Sequence, residues 1–326
     1  MKAFIISLYV LLFTTVVLAS VLPVVLKPNR AQLRVHSNKV RVLPYNIAVC
    51  TPIRDCEKYL PQVFENIDRL RPYFKSLHSI FVYDNCSDKS ADLLQHYKRP
   101  NVIVYHNIGN NHKERTVRIA SSRNVIVDLI YNHLPSIDFH IMFDADDRNV
   151  DKWDVDVILE SLQRNDWDSL SFNEPQYYDI WALFYDKFKH HCFGWIDKSP
   201  KSKEPYIHTK VIEYMRKDIQ KKLKQLPSPN HLLEVLSAFN SFALYRTSVF
   251  RGLQYDGTYK GVTKYFSDQD RAETLEHLQQ VLPAEDADRI KLRDDIFEQA
   301  DHVSYHLDAI KNRGARIRIS PKYWRT

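Results

Sequence analysis

The sequence predicts an α/β protein with a parallel sheet in its first half. Short apolar runs of strand length alternate there with stretches of helical periodicity, and strand–helix–strand alternation calls for right-handed crossovers and parallel pairing. Its 326 residues suffice for one large α/β domain or two smaller ones. With 44% hydrophobic and 26% charged residues the composition is that of a globular chain, which excludes wholesale disorder.

Residues 3–26 carry no charge and are long enough to cross a bilayer as one helix, which needs about 20 apolar residues. Residues 1–26 read as a retained transmembrane signal anchor, with cleavage near Val17-Leu18-Ala19 as the alternative. The chain then reads as a single-pass membrane protein, of Golgi or ER type in a eukaryotic setting. Lys27, Arg30, Arg34, Lys39 and Arg41 follow the span; the positive-inside rule places the C-terminal part in the cytosol, but orientation stays open. Residues 27–44 form a polar, basic stem.

The folded part is expected over 45–326, as two halves, 45–150 and 151–326. It opens with a buried strand at 46–51, a turn at 52–55 and a helix at 56–71, where Leu60, Val63, Phe64, Ile67 and Leu70 recur at helical spacing. Strands at 79–83, 102–106 and 139–143 follow, separated by helices at 90–98 and 118–134. A helix from near Trp153 to Arg164 and a strand at 168–172 come next. Residues 177–193 are rich in aromatics, read mainly as a packed helix face with the remainder free to stack on a sugar ring. Residues 199–229 read as a Lys-rich exposed insertion around a helix at 211–225, its charge run a solvated face. A strand at 239–245, helices at 268–282 and from Asp301 to about Arg313, and a strand at 315–319 complete the chain.

A net charge of +6 suits anionic substrates or a membrane surface. Lysine and arginine are scattered among 40 acids, however, so no nucleic-acid stripe forms and no nucleic-acid partner is expected. Only 6 glycines occur, and neither G-x-G-x-x-G nor a P-loop is present, which leaves phosphate binding to metal and side chains. Cys50, Cys56, Cys86 and Cys192 form no C-x-x-C and read as free thiols, a Cys50–Cys56 disulfide being the alternative.

Three carboxylate clusters stand at the ends of predicted strands: Asp55, then Asp84 with Asp88, then Asp144, Asp146 and Asp147. Open α/β sheets bind ligands at that edge. Crowded carboxylates repel one another, and Mg²⁺ or Mn²⁺ held by one or two of them plus substrate phosphates relieves that cost. The competing readings are an acidic turn capping the helix near Trp153, and, for Asp84, a turn residue of Asp-Asn-Cys-Ser.

Phe81-Val-Tyr-Asp84-Asn85-Cys-Ser87-Asp88-Lys-Ser90 resembles the strand–Asp–Asn–x–Ser–x–Asp segment of family-2-like glycosyltransferases of the GT-A fold. Ser122-Arg123-Asn124 is similar to the Arg-Asn of their next helix, and Phe143-Asp144-Ala145-Asp146-Asp147 to their Asp-x-Asp motif. Ser241-Phe-Ala-Leu-Tyr245-Arg246 is similar to a later strand ending in Tyr/Phe-Arg, and residues 298–314 to the closing acid–helix–Gly segment. The likeness runs over about 46–323 and implies a Rossmann-like nucleotide-binding half, a mixed central sheet and helices on both faces. It further implies that Thr51, Pro52, Arg54, Asp84, Asn85, Arg123, Asp144 and Ala145 bind a nucleotide sugar. Asp144 and Asp146 would meet Mn²⁺ or Mg²⁺, with His302 or His306 completing its coordination. Asp301 or Glu298 would act as base, Asp301 favoured, although the family's usual Glu-Asp pair is missing as such. Asn85-Cys-Ser87 is also a glycosylation sequon within the expected pocket.

The resulting reading is a metal-dependent, membrane-anchored glycosyltransferase moving a sugar from a UDP- or GDP-sugar to a hydroxyl of a glycan, protein or lipid acceptor. Its rivals are a metal-dependent nucleotidyltransferase or phosphohydrolase, which also wants clustered Asp, and an inactive anchored scaffold or lectin-like protein that keeps only the fold.

Overall fold

The computed structural model describes residues 42–197, 207–293 and 295–326. The expected span and nearly all of the stem lie outside the described residues. Among the described residues no helix is long and apolar enough to cross a membrane. The first strand already begins at Leu43, two residues inside the segment expected to be stem.

Among the described residues ten strands are present: β1 (Leu43–Ile53), β2 (Phe74–Tyr83), β3 (Val102–His106), β4 (Phe139–Phe143), β5 (Ser169–Phe172), β6 (Trp195–Asp197), β7 (Leu233–Glu234), β8 (Phe242–Arg246), β9 (Ile290–Leu292) and β10 (Ile317–Ser320). The longer helices are α1 (Leu60–Leu70), α2 (Ser90–His96), α3 (Arg115–Asp128), α4 (Val155–Leu162), α5 (Ile207–Lys224), α6 (Asp268–Val281) and α7 (Asp301–Arg313). Proline in its first turn fits the later start of α1, since proline needs no N–H partner there. The helix expected at 118–134 is α3 followed by a π turn at Leu129–His133.

Eight strands form one sheet in the order β3-β2-β1-β4-β8-β5-β10-β7. β3, β2, β1 and β4 pair in parallel, as strand–helix–strand alternation requires. β8 then runs antiparallel between β4 and β5, β10 is parallel to β5, and β7 is antiparallel to β10. The sheet is therefore mixed, and strictly parallel only across its first half.

Side chains alternate across the sheet with the period of two that a pleated strand imposes. Ile47, Val49, Ile141, Phe143 and Leu244 face a layer built on α1 and α4 with Trp153, Trp167 and Trp324. Ala48, Cys50, Met142, Ala243 and Tyr245 face the opposite layer, built on α3, α5 and α7. Helices thus cover both faces, giving the α/β class with a Rossmann-like first half expected from the sequence. Residues 177–193 are not helical. They form turns and short bridges that bury Tyr177, Phe184, Tyr185 and Phe188 and leave Tyr178 exposed. The four cysteines are free thiols, which removes the Cys50–Cys56 disulfide.

Candidate active site

The order β2-β1-β4 places a topological switch point between β1 and β4, because the chain leaves β1 to one side and returns on the other. Crevices at such points bind ligands at the carboxyl ends of the strands. A cavity of about 280 Å³ opens there, lined by Pro52, Arg54, Asp84, Arg118, Asp144 and Asp146, with Ala145 on its floor. Asp84 is 4% exposed, and its Oδ2 accepts from Asn110 Nδ2 at 2.6 Å. Its Oδ1 is buried without a hydrogen bond, the Arg54 guanidinium standing 3.7 Å away, and burial pushes the carboxyl above the usual range. Thr51 and Asn85 lie outside this wall. The Thr51 hydroxyl is buried and donates to Pro52 O at 3.1 Å. Asn85 is exposed at φ +30, its amide donating to the loop at Asn110 O and Asn111 Oδ1. The sequon is therefore outside the cavity.

A second cavity of about 240 Å³ meets the first on Asp144, Arg115 and Ile119. Its aromatic wall is Tyr178, Trp181, Phe193 and Phe239, and its floor Arg123, Asp144 and Asp301. Arg123 is buried between the two acids, donating to Asp301 Oδ1 at 2.5 Å and to Asp144 Oδ1 at 2.7 Å. Its guanidinium lies 4.8 Å from the Phe239 ring centroid. Burial lowers the arginine's proton affinity, but the two carboxylates more than reverse this, so the cation is permanent. Arg123 is consequently a neutralised strut; a diphosphate would have to compete with two carboxylates for it. Asp301 Oδ2 remains buried with no hydrogen-bond partner.

The Asp144–Asp147 turn is pinned from below. Asp144 N donates to Ser241 O at 3.0 Å, and Asn149 Nδ2 donates to Asp144 O at 2.9 Å. Asp146 Oδ1 accepts from Arg148 N at 3.0 Å, so Asp146 caps the single turn at Asp147–Asn149, while Asp154 caps α4. Capping is therefore part of what this acidic turn does, though through Asp154 for the helix. Burial, then the Asp144 charge, pushes the Asp146 carboxyl up to about 7. Asp144 is also raised by burial, against Arg123 and Arg115. Two carboxylates held above their ordinary range at a cavity floor have the charge a divalent cation satisfies, with substrate oxygens filling the remaining positions.

The expected histidine ligands separate. His306 is fully buried and both ring nitrogens are occupied, Nδ1 by Ser237 Oγ at 2.9 Å and Nε2 by Tyr245 Oη at 3.1 Å. It is a core residue with no nitrogen left for a metal. His302 Nδ1 meets Tyr245 Oη at 3.0 Å, but its Nε2 is buried without a partner and the residue lines the second cavity. Burial drives both imidazoles well down, His306 to about 3, so they are neutral. Among the described residues the three ligating groups that do converge, within 4.8 Å, are Asp55, Cys86 and Asp88. Their carboxylates are already committed: Asp55 Oδ1 to Ser87 N at 2.6 Å, and Asp88 to the backbone amides of Glu57 and Ser90, each at 2.9 Å. The two candidate bases separate as well. Glu298 Oε1 accepts from Thr116 N at 3.0 Å and stands 3.1 Å from Thr116 Oγ1, tying down the first turn of α3. Asp301 lines the cavity and Glu298 does not.

Two residues absent from the sequence-based set belong to the site. Arg115, the first residue of α3, lines both cavities, and its charge lowers the Asp144 carboxyl. Asp179 lines the second cavity, its carboxyl pushed up to about 6 by burial and then by the Asp144 charge. Asn240, at φ +52, fixes it: Asn240 Oδ1 accepts from the amides of Tyr178 and Asp179, each at 3.0 Å, and Nδ2 donates to Phe172 O at 2.8 Å. Asparagine is among the residues that tolerate this left-handed backbone. Neither Arg115 nor Asp179 sits in a spaced motif; the one signal for Asp179 was a lone acid in an aromatic run.

No protein-family model matches the chain, and no curated protein does. Solved structures similar to it include S. aureus TarS 1-349, at 12% identity and a TM-score of 0.38, covering 86% of this chain and 59% of that one. Glucosyl-3-phosphoglycerate synthase from Mycobacterium tuberculosis in complex with uridine diphosphate is similar at 11% identity and a TM-score of 0.37, covering 73% of this chain and 66% of that one. Mannosyltransferase PcManGT from Pyrobaculum calidifontis in complex with GDP-Man and Mn²⁺ is similar at 12% identity and a TM-score of 0.36, covering 66% of this chain and 48% of that one. The chain thus spans less than two thirds of the length of each. At TM-scores below 0.5 these likenesses establish neither family nor activity.

Proposed function

We propose that this chain is a metal-dependent GT-A glycosyltransferase that moves a sugar from a UDP- or GDP-sugar to a hydroxyl of a glycan, protein or lipid acceptor. The observation that carries the reading is that two cavities of different chemistry meet on Asp144. One is polar and bears an unsatisfied buried carboxylate oxygen; the other is walled with aromatic rings and floored by acids.

In this reading Asp84 Oδ1 accepts from the base or ribose, with Arg54 and Arg118 beside it. Arg115 supplies the mobile cation for the diphosphate that Arg123, locked between two acids, does not. Asp144 and Asp146 fit a divalent cation, which when bound neutralises charge on the leaving diphosphate. Tyr178, Trp181 and Phe193 present ring faces and edges to the transferred sugar. The acceptor oxygen attacks the anomeric carbon, the bond to the diphosphate breaks, and the hydroxyl proton passes to Asp301 Oδ2. Arg123, bound to Oδ1, holds that carboxylate in orientation.

The test is a screen of the full-length chain against UDP- and GDP-sugars, following nucleoside diphosphate release with Mn²⁺, with EDTA, and in Asp146→Ala. Release from one donor, lost with EDTA and in the variant, is expected. Nucleoside monophosphate and sugar 1-phosphate instead would assign phosphohydrolysis, pyrophosphate released from UTP or GTP in the presence of a sugar 1-phosphate would assign nucleotidyl transfer, and no binding of any donor would leave the scaffold reading. The anchor over 1–26 belongs to the same proposal, motivated by its uncharged run. Alkaline extraction should leave the full-length chain with the membrane, and its release would remove the anchor.

A further inference from the structure

A third cavity, about 600 Å³, runs along α5 beside Pro175 and Gln176. Among the described residues, Arg216, Lys217, Lys221 and Lys224 line it against a single acid, Glu213. Lys217, Lys221 and Lys224 recur at the spacing that stacks side chains on one helix face. All three are exposed, and among the described residues none has an acid within ion-pair distance. The contrast is Lys222, on the neighbouring face, which pairs with Asp186 at 2.7 Å and reaches Asp218 at 3.9 Å. The Lys-rich stretch reads from sequence as a solvated face; the fold instead gives its unpaired charges a groove.

The groove does not stand apart from the catalytic cleft. Arg216 lines both this cavity and the aromatic one, and its Nε is fixed on Tyr177 O at 2.9 Å. The three cavities form a series, with Asp144 shared by the first two and Arg216 by the last two. Among the described residues no aromatic ring lines the third to stack nucleobases, which is how single-stranded nucleic acid is usually held. Lysine stems instead offer methylene surface below their ammonium groups.

We propose that this groove binds an anionic saccharide, one bearing phosphate or carboxylate, and delivers its hydroxyl past Arg216 into the catalytic cavity as acceptor. The acceptor role rests on the glycosyltransferase reading; the preference for a charged sugar is measurable without it. The experiment is equilibrium binding of the full-length chain to mannose 6-phosphate and glucuronic acid, against mannose and glucose, at low and high salt. At least one charged sugar should bind roughly tenfold more tightly than its neutral counterpart at low salt and lose that advantage at high salt. Which of the two gains tells phosphate from carboxylate. Combined Lys217→Gln, Lys221→Gln and Lys224→Gln should abolish the advantage, and arginine at the same three positions should keep it. Equal binding of charged and neutral sugars, or an advantage that survives the glutamines, overturns the proposal. So does a single-stranded oligonucleotide that outcompetes the sugars and is lost with the lysines. Binding of UDP and GDP in the same samples separates the two layers: either nucleotide bound without a charged-sugar advantage condemns the groove alone. Failure to bind both condemns the donor site and takes the acceptor role with it.

Discussion

Removing Arg123 would leave Asp144 and Asp301 without the cation that bridges them. Breaking a buried ion pair by deleting one partner typically costs about 3–5 kcal/mol, because the remaining charge is stranded. Arg123→Ala should therefore lower the unfolding free energy by that order, read as a fall in the urea midpoint at unchanged slope. Arg123→Lys should fall between, since an ammonium keeps the charge but lacks the fork that reaches both acids. The two candidate bases are separable by single substitutions. Asp301→Asn should reduce transfer by about 10²–10⁴-fold, whereas Glu298→Gln should leave the rate near that of the parent and appear as a small loss of stability. If the two outcomes were exchanged, the base would be Glu298. Asp146→Asn relieves repulsion with Asp144, so the metal-free protein should be no less stable, yet the rise in Tm on adding Mn²⁺ should vanish. The acids ending β4 were legible because they follow an apolar run that positions them, whereas Asp301, opening α7, was named only through the resemblance. Arg115 and Asp179 were not, because loops from distant parts of the chain bring them in. His306 misled for the complementary reason: a histidine one turn beyond His302 shares its helix face, but that stretch of α7 is turned into the core.

α3 enters the site by its first turn, and what holds that turn is a close approach from the segment between β8 and α6. Thr116 Oγ1 donates to Gly257 O at 2.7 Å, and a Cβ on Gly257 would collide with the Thr116 backbone. Gly257→Ala should push the head of α3 aside, costing about 1–3 kcal/mol as overpacking does. Because Arg115 heads that helix, UDP affinity should fall with it; a variant of unchanged UDP affinity would show that Arg115 does not face the nucleotide. The strand–helix alternation of the first half was readable because each element has its own periodicity. The antiparallel insertion of β8 was not, since a short buried strand carries no mark of direction. Residues 177–193 failed as a helix for a related reason: their rings pack by filling space between elements rather than along one helical face.

Protons should act on the whole molecule chiefly through its buried histidines. Burial holds His140, His191 and His306 down to about 3 and His190 to about 4, and holds His302 well below its ordinary value. Below about pH 6.5 the unfolded chain protonates each of them while the folded chain does not, so stability falls on acidification by about 1.4 kcal/mol per histidine per pH unit. Asp146, at about 7, and Asp179, at about 6, act the opposite way. Their folded forms keep protons that the unfolded chain surrenders above about 3.9. They stabilise at low pH and lose that contribution as pH rises through 6 and 7. Asp84, Asp144 and Glu174, also raised by burial, act with them, and His78 and His277, also lowered by burial, act with the histidines. The lowered histidines outnumber the raised acids, so the urea midpoint should drop between pH 7 and pH 5; a rise would show that the carboxylates dominate. The position of β8 has a consequence of another kind. Residues 242–246, late in the chain, fill the gap between β4 and β5 and hydrogen-bond to both. A gene cut after residue 150 would release the first half with β4 as a bare edge, its five side chains all buried in the intact protein. That half is therefore not a self-contained cassette: a graft of it into another protein has to carry the β8 strand with it.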